Sequence, residues 1–288
     1  MLVNSNSIFS DAAKKGYAIG AYNINNLEWA KYILEACEDD KSPVVLAFTE
    51  GAIDYIGGYN VAYNIIKTLI DELSITVPVV LHLDHGRTFE SCKKAIDAGF
   101  TSVMIDASHK SLNENIDLTC RVAEYAKKHN VSVEAELGNI GDEEGEEQTF
   151  AGNCDIQECK EFVISTGIDS FAPAVGSKHG IYNEQPKIDF ELLGAVCKET
   201  KIPLVLHGGS FLDDNKIRTA IFCGVCKINI NSEIQHAWTL AVKKYLNDND
   251  DVIDPRKIIA SGEVEIKKVI HEKNKLFGSK NRANVSLF

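Results

Sequence analysis

The chain has no long apolar run, no basic surplus and no spaced cysteine framework, and each absence removes a class of protein. No stretch approaches the roughly 20 consecutive apolar residues that span a bilayer. The first residues, MLVNSNSIFSDAAKKGYA, hold no apolar secretory core. Lys and Arg number 30 against 42 Asp and Glu, a net charge of −12, which leaves no basic belt for nucleic acid or a membrane surface. The eight cysteines (Cys37, Cys92, Cys120, Cys154, Cys159, Cys197, Cys223 and Cys226) repeat no disulfide spacing. Cys223 and Cys226 form a lone CxxC without the second pair that a structural zinc needs. The expectation is a cytoplasmic protein with reduced thiols and neither nucleic-acid nor membrane partners.

What is present is a strand–helix alternation. The chain has 288 residues, 44% of them apolar, enough for one α/β barrel of about 250 residues. Short β-branched runs mark eight strands: Tyr17–Tyr22, Val44–Phe48, Val79–Leu83, Ser102–Asp106, Ser132–Glu136, Ser170–Ala174, Leu204–Leu206 and Lys227–Ile230. Pro43, Pro78 and Pro203 stand just before three of them, where no ladder donor is yet required. Gly99 and Gly167 precede two others, as turns leaving a helix. Between the strands the period lengthens. Leu27, Ala30, Tyr32, Leu34, Ala36 and Cys37 suit a helix face, as do Val61, Ile65, Leu69 and Leu73, then Leu118, Val122 and Tyr125, and finally Ile234, Trp238, Ala241 and Tyr245. Eight such units predict a single-domain (β/α)8 TIM barrel over residues 1–288 with a C-terminal helical extension. A doubly wound open sheet is the main rival, but AYNINN after the first strand lacks its glycine-rich turn. Gly138–Asp155 (GNIGDEEGEEQTFAGNCD) is too polar and glycine-rich for a core and is expected to form a long mobile loop, of the kind that closes over barrel active sites.

The chemistry gathers at the C-terminal strand ends, where barrel enzymes place their sites. These ends read Asn23, Thr49, Asp84 with His85, Asp106 with Ser108 and His109, Glu136, His179, His207 with Gly208, and Asn229 with Asn231. His85, His179 and His207 each follow an apolar run, and three imidazoles are the usual ligand set of a catalytic zinc. Asp84, beside one of them, suits proton transfer in a metal's field. His82 shares its face of the strand and reads as a core or supporting residue. Glu134 and Glu136 also share a face. Two inward carboxylates need partners, a metal or a proton, so Glu134 reads either as such a functional carboxylate or as part of an ion-pair network, and Asp106 with Glu136 as an alternative metal site. His207-Gly208-Gly209-Ser210 and Asn229-Ile230-Asn231-Ser232 follow strands seven and eight, where barrels commonly hold a phosphate on backbone donors.

These segments resemble the class II, zinc-dependent fructose-bisphosphate and tagatose-bisphosphate aldolases. The resemblance runs along nearly the whole chain, through HLDHG (His82–Gly86), AGFTSVMIDASH (Ala98–His109), VSVEAELG (Val131–Gly138), PAVGSKHGIY (Pro173–Tyr182), LVLHGGS (Leu204–Ser210) and KININ (Lys227–Asn231). It implies that His85, His179 and His207 bind catalytic Zn2+. It further implies that Asp84 works on the C4 oxygen, and that Asp106 and Glu136 hold a second or displaced metal, with a monovalent cation as another occupant. Glu144 then exchanges a proton at C1 of dihydroxyacetone phosphate. Asn23, Thr49, Gly180, Gly208, Gly209, Ser210, Asn229, Asn231 and Ser232 are implied in substrate binding. Arg256, in Asp254-Pro255-Arg256, is implied to reach a neighbouring active site of a homodimer or homotetramer.

The chain departs from the family pattern at HGGSFLDD, where Phe211 stands for a glycine and Asp213 for a proline. Phe211 is not expected to take a positive φ cheaply, which bears on the shape of the phosphate loop. Three alternatives remain at this stage. They are a zinc hydrolase on a barrel, a non-catalytic sugar-phosphate-binding barrel, and a Schiff-base aldolase using Lys178 or Lys227.

Overall fold

The computed structural model describes residues 1–138, 140 and 154–283. A first helix, α1 (Asn6–Lys15), leads into eight parallel strands: β1 (Ile19–Asn23), β2 (Val44–Thr49), β3 (Val79–Gly86), β4 (Ser102–Ile105), β5 (Ser132–Leu137), β6 (Ser170–Pro173), β7 (Leu204–Leu206) and β8 (Val225–Ile230). The strands pair in chain order, and β1 pairs with β8 to close the barrel. Helix α2 (Leu27–Asp39) follows β1, and α3 (Glu50–Ile56) and α4 (Tyr59–Glu72) follow β2. The remaining strands are followed in turn by α5 (Phe89–Ala98), α6 (Leu112–Lys128), α7 (Ile156–Thr166), α8 (Phe190–Thr200), α9 (Asp214–Phe222) and α10 (Ser232–Asp248). Two further helices, α11 (Pro255–Ala260) and α12 (Glu263–Phe277), form the C-terminal extension. All eight expected strands are present, and the ring is closed rather than open. No helix among the described residues is long and apolar enough to cross a membrane.

The prolines behave as their position predicts. Pro78 O accepts from Val44 N and Pro203 O from Phe171 N, so each proline enters the ladder as an acceptor where its missing N–H costs nothing. Gly99 and Gly167 close α5 and α7 in the left-handed region, at φ 107° and 62°.

Several strand ends shift by one to three residues from the sequence reading, and two differences bear on packing. The first strand begins at Ile19, because the N–H groups of Tyr17 and Ala18 are taken by Ala12 O and Phe277 O, while the Tyr17 hydroxyl bonds Asp11 Oδ2 at 3.0 Å. Tyr17 belongs instead to the barrel floor, where Ile8, Phe9 and Ala12 of α1 pack on Ile19, Ala21, Val45, Val80 and Cys226. On α4 the buried stripe is Ala62, Ile66 and Ile70, one residue beyond the expected face. Val61 is exposed, while Ile65, Leu69 and Leu73 flank the stripe partly buried. Both stripes satisfy a 3.6-residue period, and packing against the barrel selects the one centred on Ile66.

Both described ends of the chain lie at the N-terminal side of β2 and β3. Val79 N bonds Met1 O and Val3 N bonds Val79 O, while Asn281 N and Ala283 N bond Asp40 O and Lys41 O. Buried Asp40 anchors this end by accepting from His271, Asn274 and Lys280.

Candidate active site

The C-terminal mouth of the barrel collects the polar strand ends. Interior positions on β3 alternate through Val80, His82 and Asp84, and His85 should then point outward. It does not, because the β3–β4 register shifts between Leu83 and Gly86 and His85 takes φ 51°. Such a bulge re-aims a side chain. A left-handed non-glycine residue costs about 1–2 kcal/mol and is found where function demands the geometry. The following residue must be glycine, since a Cβ on Gly86 would lie 2.8 Å from Met104 O and 2.9 Å from Cys92 Sγ.

The bulge brings His85 to His179, in the loop after β6, and to His207, just past β7. Ring centroids lie 5.0 Å (His85–His179), 4.7 Å (His85–His207) and 5.7 Å (His179–His207) apart. One ligand atom from each falls within 4.8 Å of the others, and His85, Asp106 and Glu136 form a second such group. Asp106 lies one residue past the end of β4, and its Oδ2 accepts from His85 Nδ1 at 2.8 Å. Glu134 Oε1 accepts from His207 Nε2 at 2.9 Å. The two remaining nitrogens, His85 Nε2 and His207 Nδ1, face each other at 3.1 Å. Two lone pairs that close repel unless something positive joins them. Without metal, a proton on His85 does so. Burial would lower this imidazole's pKa, but the Asp106 hydrogen bond and the charges of Asp84 and Glu136 raise it to about 10. The donor set therefore fits a divalent cation of the zinc type, which takes the place of that proton.

Asp84 is 3% exposed and held on both oxygens, by Asn23 Nδ2 at 2.8 Å and Asn229 Nδ2 at 3.1 Å. Burial pushes its pKa up, but the charges of His85 and Lys227 outweigh burial and hold it well below the usual carboxylate range. It is a carboxylate at any neutral pH. Asn23 and Asn229, expected to bind substrate, thus have a prior task in aiming Asp84.

The strand-seven and strand-eight loops also meet. Gly209 N bonds Asn229 O at 3.1 Å, and Asn231 N bonds Ser210 Oγ at 3.1 Å. Ser232 opens α10 beside them. Gly208, at φ 70°, presses on the loop that carries His179, where a Cβ would fall 2.3 Å from Lys178 O. The Tyr182 hydroxyl joins these two loops, contacting Lys178 O and Gly208 O at 2.8 Å each and accepting from Lys178 N at 3.0 Å. Gly180 is buried between these contacts at φ 92°. Phe211 does take the positive φ (59°) that its side chain disfavours. Glu233 Oε2 accepts from its N–H at 2.9 Å, Gln185 Nε2 donates to its carbonyl at 2.8 Å, and its ring meets His236 edge-on at 5.8 Å. Those contacts offset the strain, so the loop keeps a glycine-like path without glycine.

Thr49 sits in register with Asp84 at the end of β2, and Arg256 lies on the C-terminal extension. Thr49 caps α3, accepting from Ala52 N at 3.2 Å. Arg256 is 89% exposed on α11 and pairs with Asp254 at 3.0 Å. Glu144 lies outside the described residues, as does most of Gly138–Asp155.

A sequence profile described as class-II fructose-bisphosphate aldolase matches residues 3–282. The chain belongs to the class-II fructose-bisphosphate aldolase family. Among curated relatives, a fructose-bisphosphate aldolase of Geobacillus stearothermophilus is 49% identical over 286 residues, 98% of this chain and 99% of that one. One of Staphylococcus aureus (strain Mu50) is 46% identical over the same lengths. Among solved structures, the YdjI aldolase of Escherichia coli K12 is 34% identical with a TM-score of 0.86, covering 99% of this chain and all of the other.

Beneath the histidines of this aldolase-family barrel lies a buried network that the sequence only hinted at. Lys227 Nζ bonds Glu134 Oε1 and Oε2 at 2.9 and 2.8 Å and stands 3.4 Å from His82 Nε2, while His82 Nδ1 meets Ser102 Oγ at 2.8 Å. Of the two readings open for Glu134, the structure bears out the ion pair. A lysine inside the apolar run VCKINI was the signal for its partner. Tyr182 and Glu233 carried no signal, since the contacts by which they hold these loops are with backbone groups.

Proposed function

We propose that the chain catalyses the reversible, zinc-dependent aldol cleavage of fructose 1,6-bisphosphate to dihydroxyacetone phosphate and glyceraldehyde 3-phosphate. The observation that carries this reading is the approach of His85 Nε2 to His207 Nδ1, with His179 alongside and Asp84 next in chain. These three histidines would hold Zn2+, which would supply Lewis acidity for the ketose carbonyl and for the negative charge on the neighbouring carbon. Asp84 takes the C4 hydroxyl proton on cleavage and returns it on condensation. Asn23 and Asn229 keep that carboxylate aimed and ionised. The Gly208 amide and the hydroxyls of Ser210 and Ser232 hold the triose phosphate, on loops that Gly209 and Asn231 brace through their own backbone bonds, with Gly180 shaping the loop beside them and Thr49 nearby. Asp106 and Glu136 offer His85 a second cation position, for a second metal or a monovalent ion. Glu144 exchanges the C1 proton, and Arg256 of a second copy grips the distal phosphate in a homodimer or homotetramer. Lys227 is not a Schiff-base lysine, because its ammonium is committed to Glu134 inside the barrel.

A coupled assay comparing fructose and tagatose bisphosphates, with and without chelator, tests this. The expected result is faster cleavage of the fructose substrate, loss on chelation, recovery with zinc, and no inactivation by borohydride with dihydroxyacetone phosphate. Preference for the tagatose substrate would reassign the sugar within the family. Chelator-resistant cleavage, or release of inorganic phosphate instead of trioses, overturns the reading.

A further inference from the structure

We propose that Glu134, steadied by Lys227, is a positioning residue that fixes His207 in the Nε2–H tautomer and so makes Nδ1 the nitrogen offered to the metal. The inference deepens the metal reading above and rests on it. It follows from a proton count along the buried network. Lys227, His207, Glu134 and His82 are each at most 1% exposed, so water does not compete for their protons. An ammonium has three donors and no acceptor. The three neighbours within reach of Lys227 Nζ are Glu134 Oε1, Glu134 Oε2 and His82 Nε2. His82 Nε2 is therefore an acceptor, and His82 carries its proton on Nδ1, where it donates to Ser102 Oγ. The Glu134 carboxylate only accepts, so the His207 nitrogen facing it at 2.9 Å must be the donor. The lone pair of His207 is left on Nδ1, the atom that faces His85 Nε2.

The network also fixes direction. Lys227 bonds both carboxylate oxygens, which prevents the Glu134 headgroup from turning Oε1 away from the ring. Its members come from β3, β5 and β8, so the barrel wall rather than a loop sets the orientation of His207. Asp106 has the complementary role at His85, where it occupies Nδ1 and leaves Nε2. The two rings present opposite nitrogens because their carboxylates approach opposite sides. A carboxylate behind a metal-binding histidine typically raises metal affinity about 10–100-fold.

The test uses the full chain, with metal removed and restored. Nitrogen NMR on histidine-labelled, metal-free protein should report His207 as the Nε2–H tautomer. Competition with a chromophoric chelator then measures zinc affinity for Glu134→Leu/Lys227→Met, which replaces the buried ion pair as a unit and so spares folding. Affinity should fall about 10–100-fold with little change in Tm. Glu134→Gln in the Lys227→Met background, which keeps the shape and one acceptor oxygen for His207 without setting an amide against an ammonium, should recover most of it. An Nδ1–H tautomer in the wild-type chain overturns the proposal whatever the variants do. So does a folded Glu134→Leu/Lys227→Met variant with wild-type zinc affinity. Failure of the metal reading is distinguishable, because the wild-type chain itself would then bind no zinc.

Discussion

Replacing Asp84 by alanine separates the two proton transfers that an aldolase of this family performs. The side chain is nearly inaccessible, and its two oxygens are the partners of Asn23 Nδ2 and Asn229 Nδ2. Leaving a buried donor unpaired costs about 1–3 kcal/mol, but these donors face the barrel mouth, where water can replace the carboxylate. Destabilisation should therefore sit near about 1 kcal/mol, a Tm drop of roughly 2–4 °C. The effect on chemistry is much larger. A general acid–base group contributes about 10²–10⁴-fold, or roughly 3–5 kcal/mol of barrier. Cleavage of fructose 1,6-bisphosphate in a coupled assay should fall by that factor while bound zinc remains stoichiometric. Tritium exchange at C1 of dihydroxyacetone phosphate involves no C4 oxygen and should stay within a few-fold of normal. Near-normal cleavage would mean that another group handles the C4 proton. An equal loss of cleavage and exchange would mean that Asp84 supports the whole site instead of one transfer. Asp84→Asn is the harsher variant, because its amide sets a third N–H donor group against the two asparagine amides.

Glu144→Ala should show the reverse pattern, slowing C1 exchange far more than it weakens triose-phosphate binding; exchange at the normal rate ends its assigned role. At the phosphate loop, Phe211→Gly should be more stable than Phe211→Ala by about 0.5–1 kcal/mol, the left-handed penalty less the entropy of a new glycine; a lower Tm for the glycine variant would show that φ 59° carries no strain. The last prediction concerns acid. Burial would raise the pKa of Glu38, but Lys41, Thr76 and the backbone N–H groups of Thr76 and Val77 lower it from 4.5 to about 2. Because the folded value is depressed, its stabilisation is complete above pH 4.5 and disappears as pH falls through about 2. Glu38→Gln should flatten the fall of Tm across that window, and an unchanged slope refutes the assignment.

Most of the barrel was legible because closed parallel sheets impose two clear periods, and because each functional residue had to sit where a strand ends. HLDHG, GSKHG and LVLHGGS placed the three histidines without coordinates. Other features depend on register and partnership, which a linear pattern does not contain. Alternation alone would turn His85 away from the site, and only the bulge after Leu83 reverses that. The α4 face was misplaced by one residue, since a stripe of Val61, Ile65, Leu69 and Leu73 is as periodic as the buried one. Asn23 and Asn229 were found as strand ends, but nothing in the sequence says that both amides meet Asp84. Phe211 was read correctly as a misfit for its conformation. What the sequence could not show was that Glu233 and Gln185, one from each side, hold it there.

The ends of the chain have a consequence for engineering. Met1 and Val3 are stitched to Val79, Ala283 is stitched to Lys41, and Lys41 Nζ reaches Thr76 Oγ1 at 3.5 Å across the same patch. The described residues thus begin and finish at one spot, on the pole opposite the barrel's catalytic mouth. A short peptide linker can join Ala283 to Met1, and the ring can then be reopened at a helix–strand turn on that same pole. Such circular permutants would keep every residue of the mouth in its original order in space. They would also carry a fused partner at a chosen strand without placing it over the substrate.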